Sequence, residues 1–488
     1  MLFLNKVRKH FFNKNIFLVF ITYIVSRFFF LAKYPFFYDS PEYLRESFSN
    51  NFFSSLQRSH ESIHPVYLFL LQLFQRIIPG ENVWCLSLIS GLFGLGSFIL
   101  FFLLVKKLFD ERIALYSLIP LIFFKHTWLI ETNILHESID NFLLLAGILF
   151  FISFLNNKKL YLFIVSILLL SLGILNFPGI IIWFISIFSF ILIRKNINKK
   201  EIFYLITGMF ISLIIGFFAN KTLLDMSGVS GFNRLNLIYK DYGINILLKD
   251  FSYLNILRMS RNAFLITLNG YSIASLISIV IFIFLIIREN NKKMILFSFF
   301  FLFPFILTAK FWYGGLYGRY SSFIAYFITI TFSFIYLKFK RLYFVLLFIL
   351  ITSFIPTFIK YQKTPIFLIQ ESLIKEIDIK SNDIIILSDY QRPQLNIVNS
   401  YFLLPDQNKN KEIENIITNK LLSNSKVYIT KQAIDYPYWQ YDGQEIQIIS
   451  KGDFNKTSLN DYLRDKELKL VSFNKEHPHL DVYEIKSK

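Results

Sequence analysis

Long apolar runs, each closed by a short cluster of Lys and Arg, most strongly limit what this 488-residue chain can fold into. Several of these runs approach or exceed the roughly 18–20 residues that a helix needs to cross a bilayer. The chain is 54% hydrophobic and 17% charged, against about 25% charged residues in a soluble domain. We therefore predict a polytopic α-helical membrane protein.

The basic clusters predict the topology of the chain. Residues 1–15 are rich in Lys and Arg, which places the N-terminus in the cytoplasm. The apolar run 160–193 breaks at a turn signal, Asn-Phe-Pro-Gly, and is divided there into two spans. About eleven spans are predicted, and their approximate bounds are 16–32, 83–105, 113–130, 138–155, 160–193 (two spans), 201–219, 271–287, 294–309, 319–337 and 342–359.

Sidedness supports this count. With the N-terminus inside, the even-numbered spans end in the cytoplasm, and every short basic loop falls on that side. These loops are 106–112, 158–159, 194–200, 288–293 and 338–341. The net charge of +18 is thus explained by membrane topology, and we predict no nucleic-acid partner. The first apolar run lacks a small-residue cleavage site, so we interpret it as a retained span. A single cysteine, Cys85, excludes an intramolecular disulfide.

Three long segments then face outward: 33–82, 220–268 and 360–488. The stretch from His64 to Arg76 in the first is apolar but short and interrupted by polar residues, which favours a helix lying in the interface. Tyr67 is expected there as an interface anchor. The predicted domains are a transmembrane domain, 1–359, and an outward-facing α/β domain, 360–488.

The pattern of the last segment is that of a soluble domain. Strands are predicted at 383–387 and 426–430, and a helix is predicted at 411–422. Alternating patterns recur at 444–449, 468–473 and 481–485. At about 120 residues, the segment is long enough for a core of its own.

Short motifs recur along the transmembrane part in a defined order. "YDSPEYL" follows the first span, and "HPVYLFLLQLF" follows in the first outer segment. A span ending in "KKLFDER" comes next, then the outer loop "TNILHESIDNFLLL", and "YGRYSSF" begins a late span. This order resembles that of the GT-C superfamily of membrane glycosyltransferases. It is most similar to the branch of protein O-mannosyltransferases, aminoarabinose transferases and related polyprenyl-phosphate-sugar enzymes.

The resemblance implies a glycosyltransferase that moves a hexosyl or pentosyl unit from a polyprenyl-phosphate carrier to a glycan, lipid or protein acceptor at the outer face of the membrane. In that family, an early Asp in the first outer loop acts as, or positions, the base for the acceptor, and Asp39 matches it. Chemistry supports the match, because an inverting transfer needs one carboxylate to accept the proton of the acceptor hydroxyl. The alternative is structural: Asp39 or Ser40 caps a short helix that Pro41 opens, with Glu42 in its first turn.

Further candidate site residues come from the same resemblance. Glu42 is weighed as a substrate-binding residue against a solvated capping residue. His64 stands before the Pro-aromatic run, where a cation would hold the donor phosphate, or it is simply the start of an interfacial helix. Glu137 and Asp140 lie at the mouth of the fourth span, and their spacing of three puts them on one helix face. A helix N-terminus also favours acids without any catalytic role.

Cationic candidates complete the predicted site. Arg319 and Tyr320 match the Arg-Tyr pair that opens a late span in the family, and a guanidinium there suits a lipid phosphate. The alternative is an Arg that extends to the headgroups. Arg27 lies inside the first span and is a site candidate for that reason, although it is near enough to the outer end to reach the headgroups. We expect Asp39, Glu137 and Arg319 to converge on one outward cavity.

No cofactor is required by this chemistry, although a divalent cation is compatible with it and would be held by Asp39 and Glu137. The expected partners are the lipid-linked donor, the acceptor and the bilayer. The expected location is the cell (inner or plasma) membrane, with the C-terminal domain outside or in the periplasm.

Two alternative functions remain open from the sequence. One is a polysaccharide polymerase or ligase that uses diphosphate-linked glycans. The other is a transporter, which needs polar groups near the middle of the bilayer and often carries internal repeats.

Overall fold

The computed structural model describes residues 14–34, 40–57, 64–78, 83–193, 198–228, 253–309, 321–363, 366–388, 400–403, 407–435, 439–442, 445–448, 462–475 and 480–487. The first helices are α1 (Lys14–Phe28), α2 (Ser40–Ser47), α3 (Phe52–Leu56), α4 (Pro65–Ile77), α5 (Val83–Leu108), α6 (Glu111–Ile122), α7 (Lys125–Thr132), α8 (Glu137–Asn157) and α9 (Leu160–Asn176). A 3₁₀ helix, Pro178–Trp183, precedes α10 (Phe184–Leu192), α11 (Lys199–Met226), α12 (Tyr253–Tyr271), α13 (Ile273–Arg288), α14 (Lys292–Thr308), α15 (Ile324–Lys338) and α16 (Lys340–Lys360).

Helices occupy all eleven apolar segments predicted from the sequence. Among the described residues, four helices are individually long and apolar enough to cross a membrane: α5, α8, α11 and α16. A fifth crossing is obtained if α6 and α7 are taken together. The fold is thus mostly helical and rich in apolar helices, while the count of eleven crossings stays a prediction.

The third predicted span is bent. It consists of α6 and α7, whose axes differ by 74° at a break around Phe123 and Phe124. Pro120 lies in the last turn of α6, where the ring removes one backbone donor and favours a kink. The resulting short α7 brings buried polar side chains close to the start of α8.

Helix α4 has one exposed apolar face, as predicted for an interfacial helix, but its other face is buried. One face is exposed and apolar, including Phe69, Leu73 and Ile77 at spacings of four. The expectation that Tyr67 is an interface anchor is wrong. Tyr67 is fully buried, and its hydroxyl lies 3.1 Å from Ser90 Oγ on α5. The opposite face of α4 therefore packs on the helix bundle.

Helices α9 and α11 approach closely along a seam of small residues. Gly208, Ser212 and Gly216 recur every four residues on the buried stripe of α11. Ser212 Oγ donates to Gly208 O on its own helix and lies 3.3 Å from Ile167 O on α9. Small side chains at this spacing let two backbones approach within a membrane bundle. The seam fixes α9, whose last residue belongs to the site described below.

The remaining elements form a separate α/β unit. They are α17 (Ile366–Lys375), β1 (Ile384–Ser388), β2 (Ser400–Leu403), α18 (Gln407–Leu422), β3 (Val427–Thr430), α19 (Lys431–Asp435), β4 (Trp439–Asp442), β5 (Glu445–Ile448), β6 (Lys466–Ser472) and β7 (Val482–Ser487). Five strands pair in the order β2-β1-β3-β7-β6, with β1 parallel to β2 and β3 and the other pairs antiparallel. The strands and the helix predicted here are all present within a few residues.

Contacts divide the chain into two compact units, 1–35 with 43–358 and 36–42 with 359–488. The first has a large apolar core of Phe, Ile, Leu and Tyr side chains. The second has its own smaller core, in which Ile386, Ile417, Val427, Ile429 and Ile485 are buried together.

Candidate active site

Three helix ends meet in the first unit and carry a cluster of polar side chains. His64 precedes Pro65, the first residue of α4, where proline is favoured because its missing N–H has no helical partner. His136 precedes α8, whose first turn contains Glu137 and Asp140. Asn176 is the last residue of α9, which ends because Pro178 follows. Each end is set by a local sequence signal.

Hydrogen bonds join these ends directly. Asn176 Nδ2 donates to Asp140 Oδ1 at 2.7 Å, and the N–H of Tyr67 donates to Asn176 Oδ1 at 2.9 Å. His64 Nδ1 lies 3.0 Å from the carbonyl oxygen of Asn176. His136 Nδ1 lies 2.7 Å from Asp140 Oδ2. We call the four side chains of His64, His136, Asp140 and Asn176 the polar clamp.

The partners fix the orientation of both imidazoles. A carbonyl oxygen only accepts, so His64 Nδ1 carries a proton. The carboxylate of Asp140 likewise accepts a hydrogen bond from the Nδ1–H of His136. The two rings stack with centroids 3.5 Å apart and an interplanar angle of 20°. Phe177 covers both rings at 5.4–5.7 Å. The two imidazole rings are thus stacked on each other and buried.

A small pocket opens beside the clamp. Both predicted carboxylates of α8, Glu137 and Asp140, line it, as expected for a spacing of three on one helix face. One oxygen of Glu137 lies 3.5 Å from His136 Nε2. Asn141 adds an amide that is hydrogen-bonded to Ser322 Oγ at 3.0 Å. Aromatic and aliphatic side chains complete the lining: Leu144, Phe177, Ile180, Trp183 and Phe323.

Carboxylate, amide and hydroxyl groups next to aromatic rings suit a polar ligand with hydroxyl groups. The carboxylates accept hydrogen bonds or a proton, whereas the amide and the hydroxyl both donate and accept hydrogen bonds. No cluster of three or more His, Cys, Asp or Glu side chains arranged for a metal is found within the described ranges.

The structure places some of the predicted site residues and leaves others outside the described residues. His64 is brought close to Glu137 and Asp140 by stacking on His136, although it lies more than 70 positions before them in the chain. Glu42 lies in the first turn of α2 and is half-buried. Asp39, Arg319 and Tyr320 lie outside the described residues. Their expected convergence with Glu137 stays a prediction.

Arg27 does not extend toward the headgroups. It is fully buried, and Nε donates to Glu131 Oε2 at 2.7 Å. The guanidinium also donates to the carbonyl oxygens of Ile122 at 2.8 Å and of Leu121 at 3.3 Å, at the end of α6. Its donors are thus used in holding the bend between α6 and α7, which is a structural role.

Asn176 is the cluster member that sequence reasoning missed. The sequence indicates it only as part of a turn signal, and His136 is not among the predicted site residues. An Asn at the end of an apolar run, two residues before Pro178, was the available signal, because a polar group that becomes buried needs partners. The sequence does not say which partners those are.

An apolar groove with a volume of about 590 Å³ begins at Pro65, which directly follows His64 in the chain. It follows α4 and is completed by α3, α9 and α11. Its lining residues are Phe52, Phe53, Pro65, Val66, Phe69, Gln72, Leu73, Arg76, Leu172, Leu175 and Leu223. The side-chain amide of Gln72 donates hydrogen bonds to Glu46 O and Ser55 Oγ. Arg76 is the charged residue among those that line the groove. A hydrocarbon chain suits such a surface.

Residues 61–218 match the family described as "Dolichyl-phosphate-mannose-protein mannosyltransferase". This range contains His64, His136, Glu137, Asp140 and Asn176. No curated protein sequence matches the chain.

Two solved structures share the fold. One is ArnT from Cupriavidus metallidurans in the apo state, with a TM-score of 0.52, 8% identity and coverage of 98% of each chain. The other is the archaeal oligosaccharyltransferase AglB from Archaeoglobus fulgidus, in complex with an inhibitory peptide and a dolichol-phosphate. Its TM-score is 0.50 at 9% identity, covering 87% of this chain and 70% of that one. At such identities the likeness concerns the fold.

Proposed function

We propose that this chain, which resembles GT-C membrane glycosyltransferases of the O-mannosyltransferase and ArnT type in its motifs, its family match and its fold, transfers a sugar from a polyprenyl-phosphate carrier. The acceptor is a glycan, lipid or protein at the outer face of the membrane, and the transfer inverts the anomeric carbon. The sugar is a hexosyl or pentosyl unit.

One observation carries the proposal: buried carboxylates, Glu137 and Asp140, line a pocket beside His64 within the segment that matches the family. In the transfer, the bond between the anomeric carbon and the phosphate oxygen breaks, and the acceptor oxygen forms the new bond. The acceptor proton passes to a carboxylate, and the polyprenyl phosphate leaves with its electron pair.

Roles follow from chemistry and position. We keep Asp39 as the base, on the strength of the resemblance, and place Glu137 in the pocket as the second acid. His64 is 1% exposed and bonded to Asn176 O, so a supporting role fits better than direct contact with the donor phosphate. Arg319 and Tyr320 remain the proposed phosphate-binding pair. Glu42 supports the first turn of α2.

The apolar groove supports a lipid-linked donor. It starts one residue after His64, so a chain lying in it extends away from the carboxylates along α4. Its lining includes Phe69 and Leu73, whose side chains are exposed, so a polyprenyl tail can enter the groove from the surface of the helix bundle.

A transfer assay tests the function. Membranes containing the protein are supplied with labelled polyprenyl-phosphate sugars, and labelled acceptor is measured for wild type, Asp39→Asn and Glu137→Gln. We expect Asp39→Asn to lose about 100-fold or more of the activity, since general base catalysis contributes about 10²–10⁴-fold. We expect Glu137→Gln to lose activity as well, because it removes the charge of a carboxylate that lines the pocket. Glu201→Gln is the matched control, because Glu201 is a buried acid that pairs with Lys158 at the start of α11.

Equal activity of Asp39→Asn and wild type would remove Asp39 as the base. Transfer only from diphosphate-linked glycans would favour the polymerase or ligase alternative. Movement of a labelled solute across sealed vesicles without any transfer would favour a transporter.

A further inference from the structure

Asn176 connects three segments through both its side chain and its backbone. Its side-chain amide donates to Asp140 on α8, its side-chain oxygen accepts from the N–H of Tyr67 on α4, and its carbonyl accepts from His64. The side chain is fully buried. Satisfying one buried amide with a carboxylate and a backbone N–H specifies a single orientation, since the carboxylate only accepts and the N–H only donates.

Both carboxylate oxygens of Asp140 also have hydrogen-bond partners within the protein. One carboxylate oxygen accepts from Asn176 at 2.7 Å, and the other is 2.7 Å from His136 Nδ1. Each oxygen thus has a hydrogen-bond partner within the protein, although the side chain also borders the pocket. Burial of this carboxylate next to an amide and an imidazole is the pattern of a group that orients its neighbours.

The polar clamp contacts the starts of α4 and α8. On one side, His136 immediately precedes Glu137 and lies 3.5 Å from its carboxylate. On the other side, His64 and Tyr67 at the start of α4 pack edge-on against Tyr43 of α2, at 6.1 Å and 5.0 Å. The clamp therefore fixes the start of α4 relative to the helix that begins with Glu137.

We propose that Asn176 and Asp140 are positioning residues that hold the start of α4 and the end of α9 against the start of α8 and so fix the placement of Glu137, and that Asp140 does not bind substrate. This inference rests on the proposed function. Small errors in the placement of reacting groups are costly, because a shift of about 1 Å can lower a rate by about 100-fold. The clamp therefore governs turnover more than donor binding.

An exchange of the two side chains isolates this role. In the double variant Asp140→Asn, Asn176→Asp, the new amide at 140 donates to the new carboxylate at 176 and still accepts from His136. The carboxylate at 176 still accepts from the N–H of Tyr67. Every hydrogen bond of the clamp is preserved, while the negative charge moves from α8 to α9.

We expect Asp140→Asn, Asn176→Asp and Asn176→Ala each to lower kcat by about 10- to 100-fold, with the KM for the lipid donor changed less than about threefold. The double exchange should recover kcat to within about fivefold of wild type. Rates are normalised to folded, monodisperse protein, so that a loss of folded material is not counted as a loss of turnover.

Asn198→Ala is the control for stability alone. Asn198 caps the start of α11 by accepting from the N–H of Glu201, so its loss destabilises the protein without touching the clamp. We expect a lower melting temperature with unchanged kcat.

Each remaining outcome overturns the inference. Full activity of Asn176→Ala would show that the clamp is dispensable. A folded double exchange that stays as inactive as the single variants would show that Asp140 needs its own charge, as a substrate-binding residue does. Absence of transfer by the wild type from every donor would instead overturn the proposed function, and the inference with it.

Discussion

At the scale of single residues, Arg27 and Asn176 show that charged and polar side chains inside the helix bundle bind to partners from distant parts of the chain. Arg27 was a site candidate because an ionisable group in a span is unusual. The sequence did not reveal Glu131, 104 positions away, which forms the buried ion pair with it. Asn176 shows the same limit, since its three partners come from two other helices. Residue types at helix ends could be predicted, whereas long-range pairing needs the packed structure.

Breaking the ion pair on one side should be costly. Arg27→Met leaves the carboxylate of Glu131 buried without its cation and should lower the free energy of unfolding by about 3–5 kcal/mol. Arg27→Met combined with Glu131→Leu should recover part of that loss, because both charges are removed. Thermal or denaturant unfolding in detergent measures the difference.

Lys158→Met provides the comparison. Lys158 pairs with Glu201, but its side chain is 57% exposed, so we expect a loss below about 1 kcal/mol. Equal losses for Arg27→Met and Lys158→Met would contradict the structural role of the buried pair.

At the scale of elements, sequence periodicity predicted where helices and strands lie but not how they bend or meet. The eleven apolar segments, the helix α18 and the strands β1, β3, β5, β6 and β7 all appear near their predicted positions. The 74° bend between α6 and α7 was missed, because hydropathy is continuous across it. Burial of one face of α4 was missed because its composition alone matches an interface.

The seam between α9 and α11 should not tolerate a methyl group. A Cβ at Gly216 would lie 2.8 Å from Cβ and Cγ2 of Ile174 and 3.1 Å from the carbonyl oxygen of Ser171. These atoms belong to or adjoin the α9 backbone, so the helices must separate. We expect Gly216→Ala to lower the unfolding free energy by about 1–3 kcal/mol.

The same variant should also slow transfer, because Ile174 lies two residues before Asn176. Phe218→Ala is the control, since Phe218 lies on the same helix with 59% of its surface exposed. Unchanged melting and activity of Gly216→Ala would show that the seam is looser than described.

At the scale of the whole molecule, the resemblance to GT-C glycosyltransferases inferred from motif order is confirmed by the family match and the ArnT-like fold. The separate α/β core of the second unit could be predicted because β1 and β3 are short apolar runs that are buried along their length, and alternating segments follow them in the chain. The acceptor and the sugar could not, since they depend on pocket shape. The outward placement of the second unit stays a prediction from charge sidedness.

The second unit should lose stability in strong base. Burial of Tyr428 on β3, assisted by Asp383, Glu484 and Asp378, raises the pKa of its phenol to about 12. The unfolded value is about 10. Folding therefore favours the neutral phenol, and this contribution is complete below pH of about 10 and is lost as pH rises through about 12.

Tyr428→Phe should flatten the stability profile of the second unit in that pH range. Phenolate absorbance and unfolding of the protein, followed together between those pH values, measure the effect. An unaltered profile in the variant would assign the transition to another group.

The position of Asn176 at the last turn of α9 has a consequence for how this chain can vary in length. Each residue inserted into α9 advances its end by about 1.5 Å and rotates it by about 100°. One insertion between Leu160 and Asn176 would therefore turn the amide away from Asp140, while the seam with α11 resists any compensating slide. Lineages carrying this protein should accordingly accept insertions in the loops far more readily than within these 17 residues.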